Sequence, residues 1–195
     1  MRHIVITALA GVLAAVPAQA QLMDLLTAPK TLVDRAIEAR SAGDIAKDNE
    51  IVVKVNAVMG KLGTVKASTE IYEQRLLITG IFDDKSVYDR FEREVRAVTG
   101  VRKLYWHVAY LAPADPKRKG LLDWADATVM GTKAQGRLVG TAGIADVNFR
   151  TTADAFGTVY LLGRARSREE ADKALARARD GNGVRKVVTY VDVRP

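Results

Sequence analysis

The sequence predicts an α+β protein made of two copies of one αββαβ module, each a three-stranded mixed sheet with two helices on one face. Three observations carry this expectation. Gly100-Val101-Arg102-Lys103 recurs as Gly183-Val184-Arg185-Lys186, a shift of 83 that also takes Gly80 to Gly163, Asp89 to Asp172 and Arg96 to Arg179. Tyr88, Phe91 and Val95 map by the same shift onto Ala171, Ala174 and Ala178, apolar throughout. A register shared over this length marks a duplicated unit. Finally, the order of periodicities, helical then alternating then helical again, is the same in both copies.

In the first copy, Ile51, Val52, Val55, Val58, Met59 and Leu62 form one helical stripe. Two strands follow, near 65–71 and 75–82, joined by the polar turn Tyr72-Glu73-Gln74. The second is apolar on both faces, as suits a central strand. A helix with Val87, Tyr88, Phe91, Val95 and Val98 on one side comes next, capped by Asp84 and ended at Gly100. The last strand runs from about Lys103 to Leu111, with Leu104, Trp106, Val108 and Tyr110 on one face and Tyr105, His107 and Ala109 on the other.

The second copy places a helix within 121–139 and strands near 146–152, 158–165 and 184–193. Ser167 with Glu170 predicts a capping box at the helix that turns Ala171, Ala174, Leu175 and Ala178 inward. Smaller side chains predict a helix closer to its sheet. In each copy the strand–helix–strand return is expected to be a right-handed crossover.

The segments divide as 1–20, a signal peptide; 21–43, an N-terminal extension; 44–112, the first module; 113–120, a proline-stiffened linker; and 121–195, the second module. The first segment has Arg2 and His3, an apolar run 4–16 and Pro17-Ala18-Gln19-Ala20, the pattern of a cleaved export signal. With no cysteine after it, lipidation is not expected. The extension carries Leu22, Leu25, Leu26, Leu32, Val33, Ala36 and Ile37, open to a docking or a membrane-seeking helix; the interruption at Pro29 favours docking.

The protein has 195 residues, no cysteine and two histidines, His3 and His107. Disulfides, thiolate metal sites and cysteine nucleophiles are excluded, and histidine-based catalysis has little to work with. Asp83-Asp84 and Glu169-Glu170 are paired carboxylates, but each pair falls at a helix start, where the helix dipole favours negative charge. No enzyme, metal or cofactor is expected. The formal net charge is +7, and residues 113–195 hold 15 basic against 10 acidic residues, so an anionic partner is expected of the second module. Trp124, with Lys133 and Arg137 four residues apart and Lys117, Arg118 and Lys119 just upstream, suits a surface that meets anionic phospholipid headgroups; the alternative is that Trp124 packs on the other module and the cations are solvated.

With Leu77-Ile78-Thr79-Gly80, Leu161-Leu162-Gly163 and the Gly-Val pairs at 100–101 and 183–184, the sequence resembles tandem BON-domain proteins over residues 40–195. Arg40-Ser41-Ala42-Gly43, leading to Asp48, is similar to the first module of two-domain members. The resemblance implies a non-enzymatic periplasmic protein of the cell envelope, linked to osmotic or envelope stress and outer-membrane integrity. It also implies binding of anionic phospholipid through the first helix of the second module. A soluble stress-induced chaperone or protein-interaction module, with envelope proteins as partners, is the alternative. No nucleic-acid partner is expected.

Overall fold

A computed structural model describes residues 37–64 and 66–195. The expected signal segment, the extension up to residue 36 and Val65 lie outside the described residues. The first helix, α1 (Ala42–Leu62), starts a turn and more before the apolar stripe. Ser41 caps it, its Oγ accepting the Asp44 amide at 3.0 Å. Strands β1 (Ala67–Tyr72) and β2 (Arg75–Phe82) are joined by Glu73 and Gln74, whose φ values of 51° and 58° make the tight two-residue turn that matches strand twist. Helix α2 (Lys85–Arg96) begins at Asp84, which accepts the amides of Ser86 and Val87, and leads to β3 (Lys103–Tyr110). β2 lies in the centre, antiparallel to β1 and parallel to β3.

The second half repeats the plan with α3 (Trp124–Leu138), β4 (Phe149–Ala153), β5 (Thr158–Ala165), α4 (Arg168–Arg179) and β6 (Lys186–Val193), again with β5 central. β5, α4 and β6 start and stop 83 residues after β2, α2 and β3. Gly80 faces Val108 and Gly163 faces Val191, the same pair one copy later. The first helices obey the shift too: buried Asp48, Ile51 and Val55 map onto buried Gly131, Ala134 and Leu138.

Both sequence-matched strand glycines have a steric cause. A Cβ at Gly80 would lie 2.4 Å from the Lys66 carbonyl oxygen, and one at Gly163 would lie 2.1 Å from that of Asn148. The edge strand crosses the central one too closely for any side chain.

Each sheet buries one face under its own helices. Ile51, Val55, Leu76, Ile78, Phe82, Phe91 and Val95 fill the first core, where Trp106 also packs and donates to the Tyr88 hydroxyl at 3.3 Å. Leu138, Phe149, Leu161 and Ala174, with Ala134, Val159 and Ala178, fill the second. With alanines inward, α4 lies closer to its sheet than α2 does.

The remaining sheet faces pack on each other, giving helix–sheet–sheet–helix layers. Tyr72, Leu77, Tyr160 and Leu162 form the seam, and the rings of Tyr105 and Tyr190 stack 3.8 Å apart. Buried Arg75 donates to the carbonyls of Tyr190 (2.9 Å) and Gly163 (2.7 Å), and Thr79 donates to that of Ala153 (3.1 Å). His107 Nε2 lies 2.7 Å from the Tyr190 hydroxyl, and burial holds its pKa below the ordinary value. Glu70, near Arg150, is pushed up to about 7 by desolvation despite that cation.

Residues 37–40 fasten both halves. Asn148 accepts the Ala39 amide (2.7 Å) and the Tyr72 hydroxyl (3.0 Å) and donates to the Ile37 carbonyl (2.9 Å). Arg40 pairs with Glu38 and Asp48 and lies over the Tyr72 ring.

Several local expectations are corrected. Residues 146–148 form a 3₁₀ turn, so β4 begins only at Phe149. β6 starts at Lys186 because the Val184 amide is used by the Gly181 carbonyl in a turn. Ser167 caps α4 as expected, but the Glu170 carboxylate accepts the amides of Arg166 and Ala145, each at 2.7 Å, instead of closing a capping box. Burial would raise the Glu170 pKa; these amides and the Arg166 side chain outweigh it and lower the value. The linker is no simple spacer. Asp115 caps a 3₁₀ turn, Pro116–Arg118, and Arg118 donates to the Leu111 carbonyl at 2.6 Å.

Candidate functional site: a cationic groove on the second module

Helix α3 turns Ala127, Gly131, Ala134 and Leu138 to its sheet. The spacing of 3.6 residues per turn then puts Met130, Lys133 and Arg137 together on a neighbouring face. Opposite them runs the loop after α4, with Asp180, Gly181, Asn182 and Val184. The two sides enclose an open groove of about 380 Å³.

The groove is held by Arg137. Its Nε donates to the Arg177 carbonyl (2.9 Å) and its Nη2 to that of Ala178 (3.0 Å), which satisfies two acceptors at the end of α4. Gly183, at φ 82°, completes the turn under Met130; a Cβ there would lie 3.4 Å from the Met130 methyl carbon. Lys133, which lines the groove, is exposed, as are Arg179, Arg185 and Lys186 on the segment running through the loop, while Arg177 is paired with Asp180 at 3.4 Å.

The β4–β5 loop adjoins the groove. Asp154 organises it by accepting the amides of Phe156 and Thr158 (both 2.9 Å) and the Tyr160 hydroxyl (2.8 Å). The Arg185 amide donates to the Gly157 carbonyl, so the loop tip lies beside the cationic segment. Phe156, at that tip, is 38% exposed, and Val129 on α3 is 49% exposed. Cations with apolar side chains among them are what an anionic interface accommodates.

The six residues expected from sequence are split by the structure. Lys133 and Arg137 share the groove, Lys133 free toward solvent and Arg137 held against α4. Lys117 and Lys119 are exposed in the linker, and Arg118 is tied to Leu111. Trp124, expected at headgroup depth, is instead half-buried between the modules. It lines a small cavity with Ser68, Thr79, Gly80 and Ile81 of the first module and Ala153, Asp154 and Ala155 of the second. Its indole N–H is shielded from solvent without a partner. The cause is position: Trp124 opens α3 where the Leu122 amide ties the backbone to the Ala155 carbonyl, at the seam.

Sequence reasoning passed over Phe156, Arg179, Arg185 and Lys186. The run 177–186, Arg-Ala-Arg-Asp-Gly-Asn-Gly-Val-Arg-Lys, carries four cations against one acid, which was the available signal. The paired carboxylates are structural. Asp83 pairs with Lys66 at 2.7 Å, Asp84 caps α2, and Glu169 is exposed beside buried Glu170. Among the described residues, no three His, Cys, Asp or Glu side chains converge as metal ligands would, and no helix is long and apolar enough to cross a membrane.

Comparison with known proteins places a BON domain at residues 126–195. This match runs from inside α3 to the C-terminus; the first module's likeness to it is the structural repeat already described. An uncharacterized protein in the gshII 5′ region of Anaplasma centrale is 26% identical over 148 residues, 75% of this chain and 95% of that protein. Among solved structures, CdsD, a structural protein of the type III secretion system of Chlamydia trachomatis, is similar at 13% identity and a TM-score of 0.31, covering 75% of this chain and 93% of that one. A structure of the CdsD C-terminal domain gives 12% identity and a TM-score of 0.32, covering 75% of this chain and 98% of that one. Superpositions at this level carry no argument about function.

Proposed function

We propose that this protein is a non-enzymatic binding protein of the bacterial envelope, a tandem BON-domain protein exported to the periplasm, whose second module contacts anionic phospholipid. The observation that carries the reading is that Lys133 lines the groove while exposed Arg179, Arg185 and Lys186 lie along the chain segment that bonds to the loop bearing exposed Phe156. Each basic residue held near an anionic bilayer contributes about 1 kcal/mol. Four together give weak peripheral attachment, to which the apolar tip adds. Trp124 has no part in it, and Arg137 acts as the brace of the groove, not as a free cation.

Liposome co-sedimentation tests the proposal. The intact protein is expected to pellet with phosphatidylglycerol or cardiolipin vesicles at low salt and to stay in solution with neutral vesicles. Lys133→Glu and Lys186→Glu should each weaken pelleting by at least about fivefold. Equal behaviour with charged and neutral vesicles refutes the lipid contact. If the protein then suppresses aggregation of unfolded envelope proteins, it acts as a protein-interaction module instead.

A further inference from the structure

We infer that Asn182-Gly183 is a site of spontaneous deamidation that writes a permanent negative charge into the cationic groove. The sequence has four asparagines, at 49, 56, 148 and 182, and only Asn182 precedes a glycine. Their surroundings differ as much as their neighbours. Asn49 and Asn56 lie inside α1, where the amide of the next residue is fixed in helical geometry. Asn148 has its side chain held by Ile37, Ala39 and Tyr72, and the following amide donates to the Asp146 carbonyl. Asn182 and Gly183 are both exposed, in a turn outside any helix or strand.

The reaction needs the backbone nitrogen of the next residue to reach the side-chain amide carbon. Glycine, without a Cβ, gives that approach the least hindrance. The groove also supplies positive charge. The Arg137 guanidinium presses so near the loop that a Cβ at Gly181 would lie 2.6 Å from its Nη2, and Lys133 lines the same space. Cations here stabilise the negative charge that develops during attack.

The step balances without a redox partner. Solvent hydroxide removes the Gly183 amide proton, and the nitrogen attacks Asn182 Cγ. The new N–Cγ bond closes a succinimide as the Cγ–Nδ2 bond of Asn182 breaks and the amide nitrogen, protonated by water, which returns the hydroxide, leaves as ammonia. Water then adds to either ring carbonyl and opens it to aspartate or isoaspartate. One water is consumed, one ammonia is released, and one negative charge is gained beside Asp180.

The consequence for binding rests on the phospholipid reading above: one added negative charge offsets one basic residue and weakens attachment about fivefold. The test is to age the intact protein at mildly alkaline pH, map deamidation by peptide mass spectrometry, and compare vesicle binding of fresh, aged, Asn182→Asp and Asn182→Gln proteins. Asn182 is expected to convert first. Aged protein and Asn182→Asp should bind phosphatidylglycerol vesicles about fivefold more weakly than fresh protein and Asn182→Gln. Retention of the Asn182 amide while Asn49 or Asn56 converts overturns the assignment. Equal binding by Asn182→Asp and Asn182→Gln overturns its effect on the groove. If fresh protein binds no anionic vesicle, the lipid reading falls while the peptide map still decides the modification site.

Discussion

The two modules share a backbone plan and differ in how the first helix holds the hairpin. In the first, Asp48 is buried in α1, and its carboxylate accepts the amides of Glu73 (3.0 Å) and Gln74 (2.7 Å), the Gln74 side chain (3.0 Å) and Arg40 (3.0 Å). In the second, the same position is Gly131, and α3 comes so near the strand that a Cβ would lie 2.9 Å from the Thr152 Cα. Thr151 then donates to the Gly131 carbonyl at 2.8 Å, and the hairpin loop is organised by Asp154 instead. One copy latches its turn with a carboxylate at a distance; the other closes the distance. The fold tolerates either, while Gly80 and Gly163 are the same in both because the strand crossing allows nothing larger.

Substitutions can break this comparison at graded cost. The largest effect is expected at the shared crossing. Gly163→Ala forces a Cβ into the Asn148 carbonyl and should destabilise the protein by more than about 4 kcal/mol, with Gly80→Ala close behind. Denaturant unfolding reads both, and a loss under about 1 kcal/mol at either would remove the steric account. Asp48→Ala strands buried donors and an arginine, and should cost about 3 kcal/mol. Gly131→Ala, which separates α3 from β4, should cost about 2 kcal/mol. The contrast is sharpened if Gly131→Ala leaves the first module's amide exchange rates unchanged while Asp48→Ala raises those of Glu73 and Gln74.

Glu70 gives a smaller effect, with a definite sign. Its carboxyl titrates at about 7 in the folded protein, above the ordinary 4.5, so folding disfavours its charged form. The stability tied to this group is complete below pH 4.5 and is lost as pH rises through about 7. Glu70→Gln should flatten that decline and stabilise the protein at alkaline pH. Parallel pH–stability curves for the two proteins would contradict the assignment.

Much of the architecture was legible in the sequence. β2 and β5 were placed residue for residue, β2 because it is apolar on both faces and β5 because the second copy repeats the first. What stayed hidden depends on contacts between distant segments. The latch made by the Asp48 carboxylate shows only once the β1–β2 turn is brought over it. Trp124 and Arg137 match a membrane-facing pattern until the seam claims the one and the end of α4 claims the other. Phe156 sits in a loop with no periodicity, and only the Arg185–Gly157 hydrogen bond shows that it adjoins the groove.

Amide NMR of the intact protein during titration with phosphatidylglycerol bicelles tests the central claim, that the second module meets the membrane by its cationic end. The account predicts shifts or broadening at Met130, Lys133, Phe156 and residues 179–186, with α1 and α2 unaffected. Signals that stay in place throughout, or that move mainly in the first module, contradict it.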